Sequence, residues 1–184
     1  MKTLIIIIST FTISISSFAQ QDSAASMIED AVLSLQEQNT ILYIDRGTTI
    51  YHQIGRRPSK GFITGYLDNT KVVLRLKKDE IKWLNREFKK ETDLVWPAHM
   101  FANSVRTSSD SIEYYQQKLL PSENGKKYKR YFRFSRVVYF RDSSMAVFRL
   151  SEMLDASGGF DYLFFYQRND DGWKRYMKAP MGAW

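Results

Sequence analysis

The sequence predicts an α+β domain in which amphipathic helices pack on an antiparallel sheet that ends in a C-terminal β-meander. Three observations predict it. Two stretches in the first half carry apolar residues at helical spacing. The C-terminal third is a series of β-branched and aromatic runs split by Asp, Asn, Ser and Gly turns. The helices are segregated from that meander. The chain has 184 residues, 43% hydrophobic and 15% aromatic, the composition of a sequence that packs a core. At this length one domain is expected.

Residues 1–19 stand apart from that domain. Met1 and Lys2 give a positive start, Leu4 to Ile8 open an apolar stretch that continues to Phe18, and Ser17-Phe18-Ala19 places small residues at the −3 and −1 positions. This pattern is a secretory signal peptide cut before Gln20. A membrane anchor would need about 20 predominantly apolar residues, and the hydroxyl residues from Ser9 to Ser17 weaken this stretch. The chain has no cysteine to carry a lipid at the cut. Removing residues 1–19 leaves 165 residues, 20–184, and a formal charge of +6, because Lys2 is the one charge lost from +7. The expected product is exported, periplasmic or extracellular, with no membrane span after cleavage. A domain of this size buries about 70% of its unfolded surface, so it needs no disulfide staples.

The first helix follows from Ala24, Met27, Ile28, Ala31, Val32 and Leu35, one face at helical spacing. Ser26 and Glu29 read as a capping box, and Asn39 as its stop. Short strand runs come next at Ile41 to Ile44, Thr48 to Ile54, Gly61 to Leu67 and Lys71 to Leu76. They are separated by turn chemistry at Asp45-Arg46-Gly47, Gly55 to Pro58 and Asp68-Asn69.

A second helix is predicted from Asp79 to Lys90, with acids at its start and Lys89-Lys90 at its end. Ile81, Leu84 and Phe88 form its buried stripe, and Trp83 points about 200° away from Ile81 at ~100° per residue. Leu94 to Arg106 reads as irregular. A third helix, capped by Ser109 or Asp110 and carrying Ile112, Tyr115, Leu119 and Leu120, stops at Pro121. The meander then runs through Lys129 to Phe140, Met145 to Glu152, Phe160 to Arg168 and Trp173 to Ala179. Asp142-Ser143-Ser144 and Asn169 to Gly172 supply hairpin turns. Leu163-Phe164-Phe165 breaks the alternation, as a central strand covered on both faces would.

At this meander the sequence resembles a group of small exported proteins of Bacteroidetes type to which no activity is assigned. The likeness is carried by Phe134-Ser135, Val138-Tyr139-Phe140 before an Asp-Ser turn, Ala146, Gly158-Gly159, Gly172-Trp173-Lys174 and Trp184. Asp79-Glu80-Ile81, Trp96-Pro97 and Phe18-Ala19-Gln20 fit it as well. Many members follow Phe-Ser with Pro, where this chain has Arg136-Val137, and carry cysteines where it has Ala156-Ser157. The resemblance implies fold and compartment, and carries no catalytic residue over. By analogy the fold is a cystatin-like or nuclear-transport-factor-like roll.

Chemistry-bearing residues are sparse. The two histidines, His52 and His99, fall short of the three or four ligands that zinc requires, so no metal, cofactor or catalytic residue is expected. Gly-x-Ser-x-Gly is absent, and Ser157-Gly158-Gly159 reads as a turn between strands. Asp155 and Asp161 beside it read as solvated surface. The densest feature is the stretch from Gly125 to Arg136, in which Lys126, Lys127, Lys129, Arg130 and Arg133 interleave with aromatics. Single-strand nucleic-acid binders combine such elements. Read as a strand, however, Phe132, Phe134 and Val138 share the core face and the cations face solvent, as on a charged edge strand. Nucleic acid is therefore disfavoured.

The expected function is a non-enzymatic exported protein that binds an acidic envelope polymer or protein through a basic face. Lys126, Lys127, Lys129, Arg130 and Arg133 are its candidate binding residues, with Trp83 and Trp96 as aromatic anchors. A toxin-neutralising or inhibitor protein and a hydrolase with a His-centred site are the alternatives.

Overall fold

The computed structural model describes residues 23–35, 41–44, 61–90, 94–108, 122–123, 126–127, 131–155 and 158–183. The predicted signal segment, the strand at Thr48 to Ile54, the third helix, the turns at Asp45 to Gly47 and Gly55 to Pro58, and Asn39 lie outside the described residues.

Helix α1 spans residues 23–33. Strands β1 (Ile41–Ile44), β2 (Phe62–Leu67) and β3 (Thr70–Arg75) precede helix α2 (Lys78–Lys89). Strand β4 (Ser104–Thr107) and the small pair β5 (Ser122–Glu123) and β6 (Lys126–Lys127) follow. The rest is β7 (Tyr131–Phe134), β8 (Val138–Phe140), β9 (Met145–Asp155), β10 (Gly158–Asn169) and β11 (Gly172–Ala183). Nine strands form one sheet in the order β3-β2-β11-β10-β9-β7-β1-β4, with β8 also paired to β9. The expected meander is its centre.

The sheet is mixed rather than wholly antiparallel. β1 runs parallel to β4 and to β7. Parallel neighbours need long crossovers, and the β1-to-β4 connection provides one through β2, β3 and α2. The four-residue strand β4 lies inside the stretch that the sequence reads as irregular.

Both sheet faces are covered at the centre. Ala146, Phe148, Leu150, Phe164 and Tyr166 pack with Met27, Ile28, Ala31 and Val32 of α1. Met145, Val147, Leu163 and Phe165 face the other way, packing with Leu84 and Phe88 of α2. This explains the three consecutive apolar residues at Leu163-Phe164-Phe165. Tyr166 fixes α1 to β10, its hydroxyl proton shared between Met27 O at 2.9 Å and Asp30 Oδ2 at 2.6 Å. Burial and the adjoining Asp30 carboxylate raise its pKa and keep that donor proton in place.

Two boundaries differ from expectation. Residue 23 is already helical, so Ser26 and Glu29 sit inside α1 and do not cap it. In the strand after Tyr131, Phe134 faces Leu150 while Val138 faces Val147, four steps against three. One extra residue at Ser135 to Val137 is a bulge, and a one-residue slip exchanges the faces. Val138 therefore joins the α2-side core, opposite Phe132 and Phe134.

The β2–β3 hairpin turns on Asp68 and Asn69, at φ 44° and 69°, the left-handed pair of a two-residue hairpin. Gly65 lets this hairpin reach the meander, because a Cβ there would stand 2.7 Å from Lys178 O of β11.

Candidate functional site

The predicted basic stretch is not assembled as an edge. β7 lies inside the sheet between β9 and β1, since its Phe132 and Phe134 are fully buried on the α1 side. Arg133 is half-buried on the opposite face, and its Nε is buried without a hydrogen-bond partner among the described residues. Lys126 and Lys127 form β6, paired with β5 outside the large sheet. Lys129 and Arg130 lie outside the described residues.

The two tryptophans are on opposite sides of the sheet. Trp96 is 7% exposed in the α1-side core, edge-on to Phe134 at 6.0 Å, and is thus a packing residue. Trp83 is half-buried and lines a groove of about 490 Å³ with Asp79, Glu80, Tyr139, Phe140, Arg141, Asp142 and Ser143. His99 is exposed in the 94–103 loop with φ 57°, and His52 lies outside the described residues. No group of three metal-ligating side chains occurs among the described residues.

Asp161 is not solvated surface. It is buried, accepting from Arg149 Nε at 3.1 Å and from Ser151 Oγ at 2.6 Å. Ser135 closes this polar cluster by exchanging hydrogen bonds with the Arg149 backbone. Glu87 nearby in sequence to the α2 terminus is held below the ordinary carboxylate pKa by Lys90, and further by Arg136. Asp161 neutralises the enclosed Arg149, while Glu87 pairs with Lys90 and with the partly exposed Arg136.

A different cationic surface is built by β2, β3 and β11. Strand alternation sends Ile63, Val72 and Leu74 toward α2. It leaves Phe62, Tyr66 and Val73 on the other face, exposed by 44%, 45% and 49%. Cross-strand neighbours there are Phe62 with Arg75, Thr64 with Val73, and Tyr66 with Lys71. Lys178 of β11 pairs with Tyr66 and lies 5.3 Å from the Tyr162 ring centroid, while Arg75 lies 5.7 Å over Phe62. Such contacts hold each cation at a defined height above the sheet. Among the described residues no carboxylate pairs with Lys71, Arg75 or Lys178. Arg175, by contrast, sits 3.8 Å from both Asp30 and Asp68.

A pocket lies at each end of β3, one at the Asp68–Asn69 turn and one at the junction with α2. One, about 650 Å³, is lined by Ser34, Tyr66, Asp68, Asn69, Arg175 and Lys178. The other, about 440 Å³, is lined by Arg75, Leu76, Lys77, Lys78 and Arg141. Arg141 is fixed there by Glu80, with Nε to Oε1 at 2.7 Å and Nη2 to Oε2 at 3.2 Å, and it also donates to Arg75 O at 2.7 Å. The Arg141 hydrogen bond is the chief cause that holds the Glu80 carboxyl below its ordinary pKa. Four cations thus surround one pocket with a single carboxylate tied to one of them, an arrangement suited to an anionic group.

The fold and this surface define a class: an α+β domain whose sheet has one basic, aromatic half-face that none of the described residues covers. No family model, no curated protein and no solved structure matches the chain. No helix among the described residues is long and apolar enough to cross a membrane.

Proposed function

We propose that this is an exported, non-enzymatic binding protein that holds an acidic partner of the cell envelope on the β2–β3–β11 face. The observation that carries the reading is the set of exposed Lys71 and Arg75 and half-buried Lys178, each neighbouring an aromatic ring and none paired with a carboxylate among the described residues. Arg75 and Lys178, ordered over rings with no counter-ion among the described residues, raise the local potential together with Lys71 and attract anions. Export and kinship with the Bacteroidetes-type group belong to the same proposal, supported by the N-terminal sequence pattern and by Gly172-Trp173-Lys174 at the β10–β11 turn. A cystatin-like or nuclear-transport-factor-like roll is likewise proposed, supported by α1 packed on the antiparallel meander.

The test is retention on an anionic matrix of the wild type against a Lys71→Glu, Arg75→Glu, Lys178→Glu variant, over a salt gradient. The variant is expected to elute earlier by more than its charge change alone produces, as judged by a matched reversal of Lys82, Lys89 and Lys174. Equal elution of the two triple variants contradicts the reading. An inhibitor or toxin-neutralising role is favoured by one feature, the half-buried Trp83 in its groove. It predicts a stoichiometric protein partner that Trp83→Ala releases.

A further inference from the structure

The basic face has an internal spacing that narrows the ligand. Its cations form two groups, Lys71 with Lys178 at the Tyr66 row and Arg75 at the Phe62 row, with Lys77 following at the end of β3. Tyr66 and Phe62 are four residues apart on one strand, about 13 Å at the usual rise per residue. Between them the Thr64–Val73 row carries no charge.

We propose that the ligand is an acidic polysaccharide whose charged sugars alternate with uncharged ones, lying along β2 and β3 with one anionic group at Lys71 and Lys178 and the next at Arg75. The inference rests on the acidic-partner reading above. A single nucleic-acid strand carries a phosphate at every nucleotide, so crossing the Thr64–Val73 row would desolvate phosphates against groups that cannot neutralise them. A second copy of this chain would bring like charges face to face. A folded acidic protein gains most from a buried anchor in a fitted apolar hole, whereas Phe62, Val73 and Tyr66 rise from an open sheet surface. Uncharged sugar rings match it, because their C–H faces pack on aromatic rings while their hydroxyls remain in water.

The experiment is calorimetric titration of the full exported chain with four probes of equal length. They are an oligosaccharide alternating a uronic acid with a neutral amino sugar, an oligogalacturonate charged on every ring, oligothymidylate and oligoglutamate. The variants are Lys71→Gln with Lys178→Gln, Phe62→Ala with Tyr66→Ala, and Trp83→Ala as a control outside the track, each checked for unchanged circular dichroism and Tm. The alternating oligosaccharide should bind tightest. Loss of the two lysines should weaken it about tenfold or more, given the worth of charge-assisted hydrogen bonds. The aromatic pair should weaken it several-fold and Trp83→Ala leave it unchanged. If oligothymidylate, oligoglutamate or the fully charged sugar binds as tightly through the same lysines, the alternating glycan is wrong and the acidic-partner reading stands. If no probe binds, or binding ignores both double variants, both readings fail.

Discussion

One cross-strand row runs through both halves of the sheet and separates them. Lys71, Tyr66, Lys178, Phe164 and Phe148 are successive register partners on β3, β2, β11, β10 and β9. At the Phe148 end α1 covers the row, and Phe148 and Phe164 stack with centroids 5.8 Å apart and no exposure. At the Lys71 end nothing described covers it, and Tyr66 stands between two lysines. The same strand geometry thus makes a core where an apolar helix lies above and a charged platform where none does. An aromatic residue in a strand is assigned by what its cross-strand neighbours are and by what lies over them, more than by its own side chain.

The largest expected effect tests the covered half. Phe148→Ala should cost about 3–5 kcal/mol in urea unfolding, whereas Phe62→Ala on the open half should stay within about 0.5 kcal/mol. A similar cost for the two would erase the distinction between the halves. Next, Asp161→Ala leaves Arg149 enclosed without its anion, and a loss of about 3–5 kcal/mol is expected for a broken buried pair. Full stability in that variant would place Arg149 in solvent.

Gly65→Ala should act between the halves. A methyl group 2.7 Å from Lys178 O must push β2 away from β11, so amide exchange should quicken in β2 and β3 while β9 and β10 keep their protection. Uniform protection would contradict the close approach. The smallest effect concerns pH. Because Arg141 lowers the folded pKa of Glu80 below its ordinary 4.5, the group adds stability above that value and loses it as pH falls through the folded one. Glu80→Gln should flatten that part of the acid unfolding curve, and an unchanged curve would remove Glu80 from the account.

Much of the covered half was legible because its signals are local. Helical spacing from Ala24 to Leu35 and from Ile81 to Phe88 identifies α1 and α2, and Asp68-Asn69 and Asn169 to Gly172 mark hairpins that the fold contains. The unbroken apolar run at Leu163 to Phe165 also announces a strand buried on both faces. What the sequence hides is non-local or one residue wide. Parallel pairing of Ile41–Ile44 with Ser104–Thr107 joins segments separated by the whole β2–β3–α2 unit, and a four-residue strand carries no periodicity of its own. The bulge at Ser135 to Val137 reverses Val138 without altering the apolar pattern. The proposed face is scattered for the same reason: Lys71 and Arg75 are isolated cations in sequence, and only the β2–β11 contact brings Lys178 beside them. The dense run from Lys126 to Arg133 draws attention in sequence, yet Arg133 belongs to an interior strand.

The most direct measurement is amide chemical-shift mapping of the chain during titration with an acidic polysaccharide. Perturbations are expected to concentrate in Phe62 to Lys78 and Arg175 to Ala179, with β9 and α1 unmoved. Perturbations concentrated instead at Lys126 to Arg133 or around Trp83 would contradict it.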